Sequence, residues 1–285
     1  MPLTEALDIA STASLYVLLA VLAGAAALKL AFSSLNTATL TRWSATALLI
    51  PLILHLILTT MSMADVELSE VIPMLWPVLH QSQIGRLLLA MLGAYALLLL
   101  AVWPLFALPQ RIRQILAVLA FVSLCWARAA SGHAGEEGWL GSAVLIHAGH
   151  IIAGTTWLGA IGVYLLRARA LDDTTLIKLT HHLSEVATFC LLAILLTGLA
   201  DALRMYEMSS HFWQSDYARL LLLKLSGVLI AVGLGGFNRL VTMPRLAQHT
   251  HAMRQLFYSV AVVESGVLLA VLVLAAKLGQ TMPDM

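Results

Sequence analysis

The sequence predicts an all-α integral membrane protein, a bundle of eight transmembrane helices with both termini on the periplasmic side. Three observations carry this. Of the 285 residues, 60% are hydrophobic and only 11% are charged, more apolar surface than a soluble domain can bury. The apolar residues gather into runs of about 20, the length of a membrane-crossing helix, without the strict alternation of a membrane barrel. Lys and Arg also concentrate in every second loop, as the positive-inside rule requires.

The runs place the spans at about 11–32, 44–64, 84–106, 112–130, 142–166, 186–206, 218–238 and 257–277. Pro104 closes the third span, and Pro109 and Gly132 bound the fourth. The longest connection, from Asp65 to Gln83, contains Pro73, Trp76 and Pro77 and reads as an interfacial segment. No soluble domain fits between the spans, so residues 1–285 read as one polytopic membrane domain. The N-terminus carries Glu5 and Asp8 but no basic residue, which argues against a cleaved signal peptide.

Ten of the 16 Lys and Arg fall in loops 1–2, 3–4, 5–6 and 7–8 or on the adjoining helix ends. Acidic residues, among them Asp65, Glu67, Glu70 and Glu136, gather on the other side. The basic loops are therefore cytoplasmic and both termini lie outside. A net charge of +1 gives no reason to expect nucleic-acid binding. Cys125 and Cys190 both fall inside apolar runs, form no CxxC pair and read as small core residues.

Polar side chains are costly inside a bilayer, so those within spans are candidates for function. The stretch from Ser131 to Gly159 sets His133 in a polar loop and places His147 and His150 one helical turn apart. On span 2, His55, Thr59 and Met63 share one face at i, i+4 and i+8. At 1.5 Å per residue, His55 and His150 fall at similar depth, roughly 12–13 Å below the outer boundary, and His147 at roughly 8 Å. Met61, Met74, His80, Met205, Met208 and His211 enrich the same outer half. Thioether groups suit Cu(I), and imidazole suits Cu(II) as well as zinc or iron. The expectation is a metal site formed by His150, His147 and His55, served by His133, Met63 and Met61. His181, His182, His249 and His251 are placed in cytoplasmic loops and read as solvated.

Asp201 on span 6 and Lys224 on span 7 have similar depth, so an ion pair would relieve both charges. Glu264 on span 8 lies nearer the cytoplasm, within reach of Asn238 or Arg239, with a structural or proton-coupling role. Gly227, Gly233, Gly235 and Gly236 point to close packing of span 7.

These residues are similar in pattern to the copper resistance protein D family, inner-membrane proteins with eight spans. The resemblance rests on SGHA at Ser131–Ala134, the pattern from His150 to Trp157-Leu158-Gly159, and SQIGR at Ser82–Arg86. It also rests on Lys224, Asn238-Arg239, Pro244-Arg245, and Glu264 with Gly266. It covers roughly residues 82–280, and residues 1–80 match more by topology than by motif. It implies copper, as Cu(I) or Cu(II), handled between periplasm and cytoplasm at the bacterial inner membrane. It also implies a separate CopC-like periplasmic carrier as partner. The function expected is copper transport, inward, rather than catalysis. Neither GxxxxGK[ST] nor a DKTG-type phosphorylation sequence is present, so direct ATP drive is not expected. Two alternatives remain open: a b-type haem oxidoreductase using His55 and His150 as axial ligands, and a non-transporting docking partner for the carrier.

Overall fold

The computed structural model describes residues 3–104, 107–136, 138–204, 215–246 and 250–281. Among them the regular structure is helical. It comprises α1 (Leu3–Ala31), α2 (Ala38–Ala47), α3 (Leu49–Ala64), α4 (Val71–Gln81) and α5 (Gln83–Val102). There follow α6 (Gln110–Ala130), α7 (Ser142–Arg167), α8 (Asp173–Arg204), α9 (Asp216–Phe237) and α10 (Thr250–Leu278). Eight segments are long and apolar enough to cross a membrane, with α2 and α3 together forming the second. Many of their outward residues are large and apolar, for example Leu196, Leu199 and Leu229. Such a surface suits lipid tails rather than water.

The helix ends follow from local chemistry. The second span is interrupted at Leu48, because Pro51 has no N–H to give the Ala47 carbonyl. Trp103 is extended and ends α5 at Val102, as the residue before a proline tends to be; the third span is thus shorter than expected. The segment after Asp65 holds a helix the sequence reading missed, because its two prolines argue against one. In α4, Pro73 sits in the first turn, where its N–H is not needed, and Pro77 leaves only the Pro73 carbonyl without its helical donor. Trp76 and His80 stack one turn apart, with ring centroids at 3.7 Å.

The fifth connection is also shorter than expected. Asp172 accepts the Thr175 N–H at 2.9 Å and caps α8; this bond holds its carboxyl below the ordinary aspartate range. His181 and His182 therefore lie on the helix α8 and not in a loop. His182 faces the Ala27 carbonyl at 3.4 Å and Glu185 at 3.5 Å. His249 lies outside the described residues.

The chain divides into two compact units, with the division inside α1 and α7. The first contains residues 3–19 and 38–152. Here α5 packs along α6, and α4 packs on α5 and α3. Leu87, Leu88, Met91, Leu124 and Cys125 fill its core. Ser82 caps α5 by accepting the Gly85 N–H at 2.8 Å. A Cβ on Gly85 would lie 1.9 Å from the Val78 carbonyl oxygen, so only glycine lets α4 and α5 turn so tightly. Arg86 then lies over the Trp139 ring at 5.5 Å, which accounts for the SQIGR pattern in physical terms.

The second unit contains residues 20–37 and 153–281. Its tightest approach is between α1 and α7, where a Cβ on Gly159 would sit 1.6 Å from the Ala20 carbonyl oxygen. On the other side, a Cβ on Gly24 would sit 2.0 Å from the Gly159 carbonyl carbon. Small residues let membrane helices pack backbone against backbone. Elsewhere in this unit α9 packs along α10, and Tyr164 meets both Thr180 at 2.9 Å and the edge of Phe257. Cys190 is a buried free thiol, as is Cys125 in the first unit.

Candidate functional site

In the first unit, α1 and α3 run antiparallel in a register set by two polar contacts. Ser11 Oγ donates to the Pro51 carbonyl at 2.9 Å. One turn back along α1 and one turn on along α3, Asp8 faces His55, with Oδ1 at 3.6 Å from Nδ1. That separation is too long for a hydrogen bond but sets the carboxylate beside the ring. The His55 side chain is 13% exposed, and neither ring nitrogen has a hydrogen-bond partner. Buried polar groups are normally satisfied, so an imidazole with neither buried nitrogen hydrogen-bonded singles His55 out as a candidate for function. A carboxylate beside a ligating imidazole orients the ring and strengthens its donor character.

Sequence reasoning singled out His55 and treated Asp8 only as an outer-side charge. A signal existed: Asp8, Ser11 and Thr12 lie at i, i+3 and i+4 on one face of α1, and Ser11 and Thr12 are buried. Thr59 and Met63 continue the His55 face, as the spacing predicts. Met63 lies 42% exposed near the end of α3, with its sulfur 3.9 Å from Ser82 Oγ. Met61 is half-buried in the same last turn, where Asp65 closes the helix in the left-handed region at φ 51°.

His133 sits on a short 3₁₀ turn, exposed, with Nδ1 3.1 Å from Glu136 Oε1. The turn is held by Ser131 Oγ donating to the Arg128 carbonyl at 2.9 Å. Its tightness depends on Gly135, where a Cβ would lie 1.9 Å from the Ala130 carbonyl oxygen. His147 and His150 lie one turn apart on α7, both half-buried and both engaged with neighbouring groups. Among the described residues, no three His, Cys, Asp or Glu side chains converge closely enough to hold a metal ion. His55, His147 and His150 do not form such a group. Met205, Met208 and His211 lie outside the described residues.

The buried charges belong to the second unit. Glu264 is 4% exposed on α10. It accepts a hydrogen bond from Trp157 Nε1 at 3.2 Å, and Gly235 makes room for its carboxylate: a Cβ there would lie 3.1 Å from Oε1. The expected partners Asn238 and Arg239 are engaged elsewhere. Asn238 Nδ2 donates to the Phe257 carbonyl at 3.4 Å, and its Oδ1 accepts from Thr242 at 3.0 Å. Arg239 Nη1 reaches Ser184 Oγ at 3.0 Å and Thr188 Oγ1 at 2.6 Å. A turn of π-helix runs over Asn238–Thr242, just before Pro244, which lacks the N–H that an α-helix would offer Leu240. Asn238 faces α10 and Arg239, the next residue round the helix, faces α8. Asp201 acts electrostatically on both Lys224 and Tyr217, so the charges on spans 6 and 7 do lie near each other.

Fold and site together define a multi-pass α-helical membrane protein with an unsatisfied imidazole beside a carboxylate in one span and a tryptophan-bound carboxyl in another. Residues 3–142 match the model of the copper resistance protein D-like N-terminal domain, and residues 177–278 match that of copper resistance protein D. No curated protein matches the chain. This chain belongs to the copper resistance protein D family, and its function is a copper-related one at a membrane. The match reaches residue 3, so His55, Met61 and Met63 fall inside it although no short motif marks them. His147, His150 and Trp157 lie between the two matched segments.

Proposed function

We propose that this protein carries copper inward across the bacterial inner membrane, with both termini in the periplasm and His55 as its intramembrane ligand. One observation carries the reading: both His55 ring nitrogens are buried within a candidate membrane span, have no hydrogen bond, and have a carboxylate beside them. The antiparallel register of α1 and α3 puts Asp8 toward the same end as Met61 and Met63. In the proposed orientation that end is periplasmic. Soft thioethers and an exposed imidazole, Met61, Met63 and His133, receive Cu(I) there from a separate CopC-like carrier. The ion then passes to His55 and to His147 and His150 by ligand exchange.

Separated donors suit such a path. Movement needs several sites of moderate strength, since one closed, tight site would hold the ion. The absence of a three-ligand cluster among the described residues supports a relay over a storage site. Asp201 with Lys224, Glu264 with Trp157, and the Asn238 and Arg239 contacts hold the later helices in register.

The test is copper uptake into proteoliposomes, with metal content and an absorption spectrum of the same preparation. Cu(I) uptake that falls about tenfold or more in His55→Ala, and less in His249→Ala, supports the reading. Stoichiometric copper binding without flux would make the protein a docking partner for the carrier. A Soret band lost in His150→Ala would assign the histidines to haem.

A further inference from the structure

At the end of the bundle where α1 and α7 finish and α8 begins, the second unit contains a cavity of about 230 Å³. This is well beyond the roughly 10–15 Å³ that one water needs. Phe32, Leu35, Leu171 and Leu179 form its apolar walls, with Ser34 and Thr175 among the polar residues lining it. Arg167 also lines it, and its Nε is buried without a hydrogen-bond partner. Among the described residues its guanidinium makes no hydrogen bond and no ion pair.

Neighbouring charges do not fill that role. Arg254 takes Asp173 at 2.6 Å and the Leu171 carbonyl at 3.3 Å. Arg169 lies over the Tyr258 ring at 4.7 Å. Asp172 is bound to the Thr175 N–H. Arg167 is half-buried, with its Nε shut away from water and unpaired; a desolvated N–H without an acceptor is costly, and a guanidinium fork matches phosphate oxygens. The cavity lies at the ends of three candidate spans, Leu3–Ala31, Ser142–Ala170 and Asp173–Asp201, and span ends are where lipid headgroups are met. Apolar walls around one unsatisfied arginine fit a phosphodiester with glycerol attached.

We propose that this cavity binds a phosphate-type oxyanion through Arg167, supplied by the headgroup of an anionic phospholipid. The site is independent of the copper path, and its failure would leave the copper reading untouched.

Native mass spectrometry of the purified full-length protein, titrated with phosphatidylglycerol or phosphatidylcholine of equal chain length, tests this. The wild type should retain phosphatidylglycerol about fivefold better, the effect of one basic residue on an anionic lipid. The preference should vanish in Arg167→Gln and persist in Lys178→Gln, which removes an exposed charge from the same part of the chain. If Arg167→Gln is not monodisperse, Ala170→Phe decides, since it obstructs the cavity and leaves the arginine in place. A second arm measures thermal unfolding in lipid-free detergent with millimolar inorganic phosphate. A midpoint raised in the wild type alone, without a lipid preference, would assign the site to a soluble oxyanion. No preference and no phosphate effect would overturn the proposal. So would equal loss in Lys178→Gln, because the attraction would then be diffuse.

Discussion

His55 is the residue on which copper affinity should depend most, because its ring nitrogens are desolvated and have no hydrogen bond to give up. Asp8 acts through it. Asp8→Asn keeps the shape but removes the charge beside Nδ1, and should weaken Cu(I) binding by about tenfold; competition against a chromophoric Cu(I) chelator reads this directly. Unchanged affinity would reduce the carboxylate to a surface group. A different contact governs stability at Glu264. Trp157→Phe removes the donor that Glu264 accepts, and leaving a buried acceptor unsatisfied costs about 1–3 kcal/mol. The midpoint of unfolding in denaturing detergent should fall accordingly. Glu264→Gln keeps an acceptor for the indole and should cost less. The reverse order would mean that the carboxylate, and not the indole bond, holds α10 in place.

Between elements, glycine decides how close two backbones come. Gly159 leaves no room for even one methyl group against the Ala20 carbonyl, whereas a Cβ on Gly162 of the same helix meets nothing within 4 Å. Gly159→Ala should therefore force α1 and α7 apart, at about 1–3 kcal/mol, and lower the yield of monodisperse protein. Gly162→Ala should be silent. Equal behaviour of the two would remove the α1–α7 approach as a source of stability. The interruptions in the helices follow the same local logic. Pro51 breaks the second span, and a π turn precedes Pro244.

For the molecule as a whole, the distribution of Lys and Arg predicts orientation. A fluorescent reporter that matures only in the cytoplasm should stay dark when fused after Met285, and light up when inserted in the connection between α5 and α6. The opposite pattern would invert the proposed direction of copper movement and put Met61 and Met63 at an exit.

Span number and type were legible in the sequence, because apolar length is a local property that a bilayer reads directly. So were the helical spacing of His147 and His150 and the shared face of His55 and Met63. The existence of α4 was not legible because two tolerated prolines act against average propensity, and the early start of α8 was missed because its first turns are polar and spans were read from apolar length. Only the tertiary structure decided which polar groups meet: Asp8 with His55, Trp157 with Glu264, Arg239 with Ser184 and Thr188. These pairings depend on the rotation and register of helices distant in the chain. Periodicity within one helix fixes which of its residues share a face, but it carries no information about which face of another helix lies opposite.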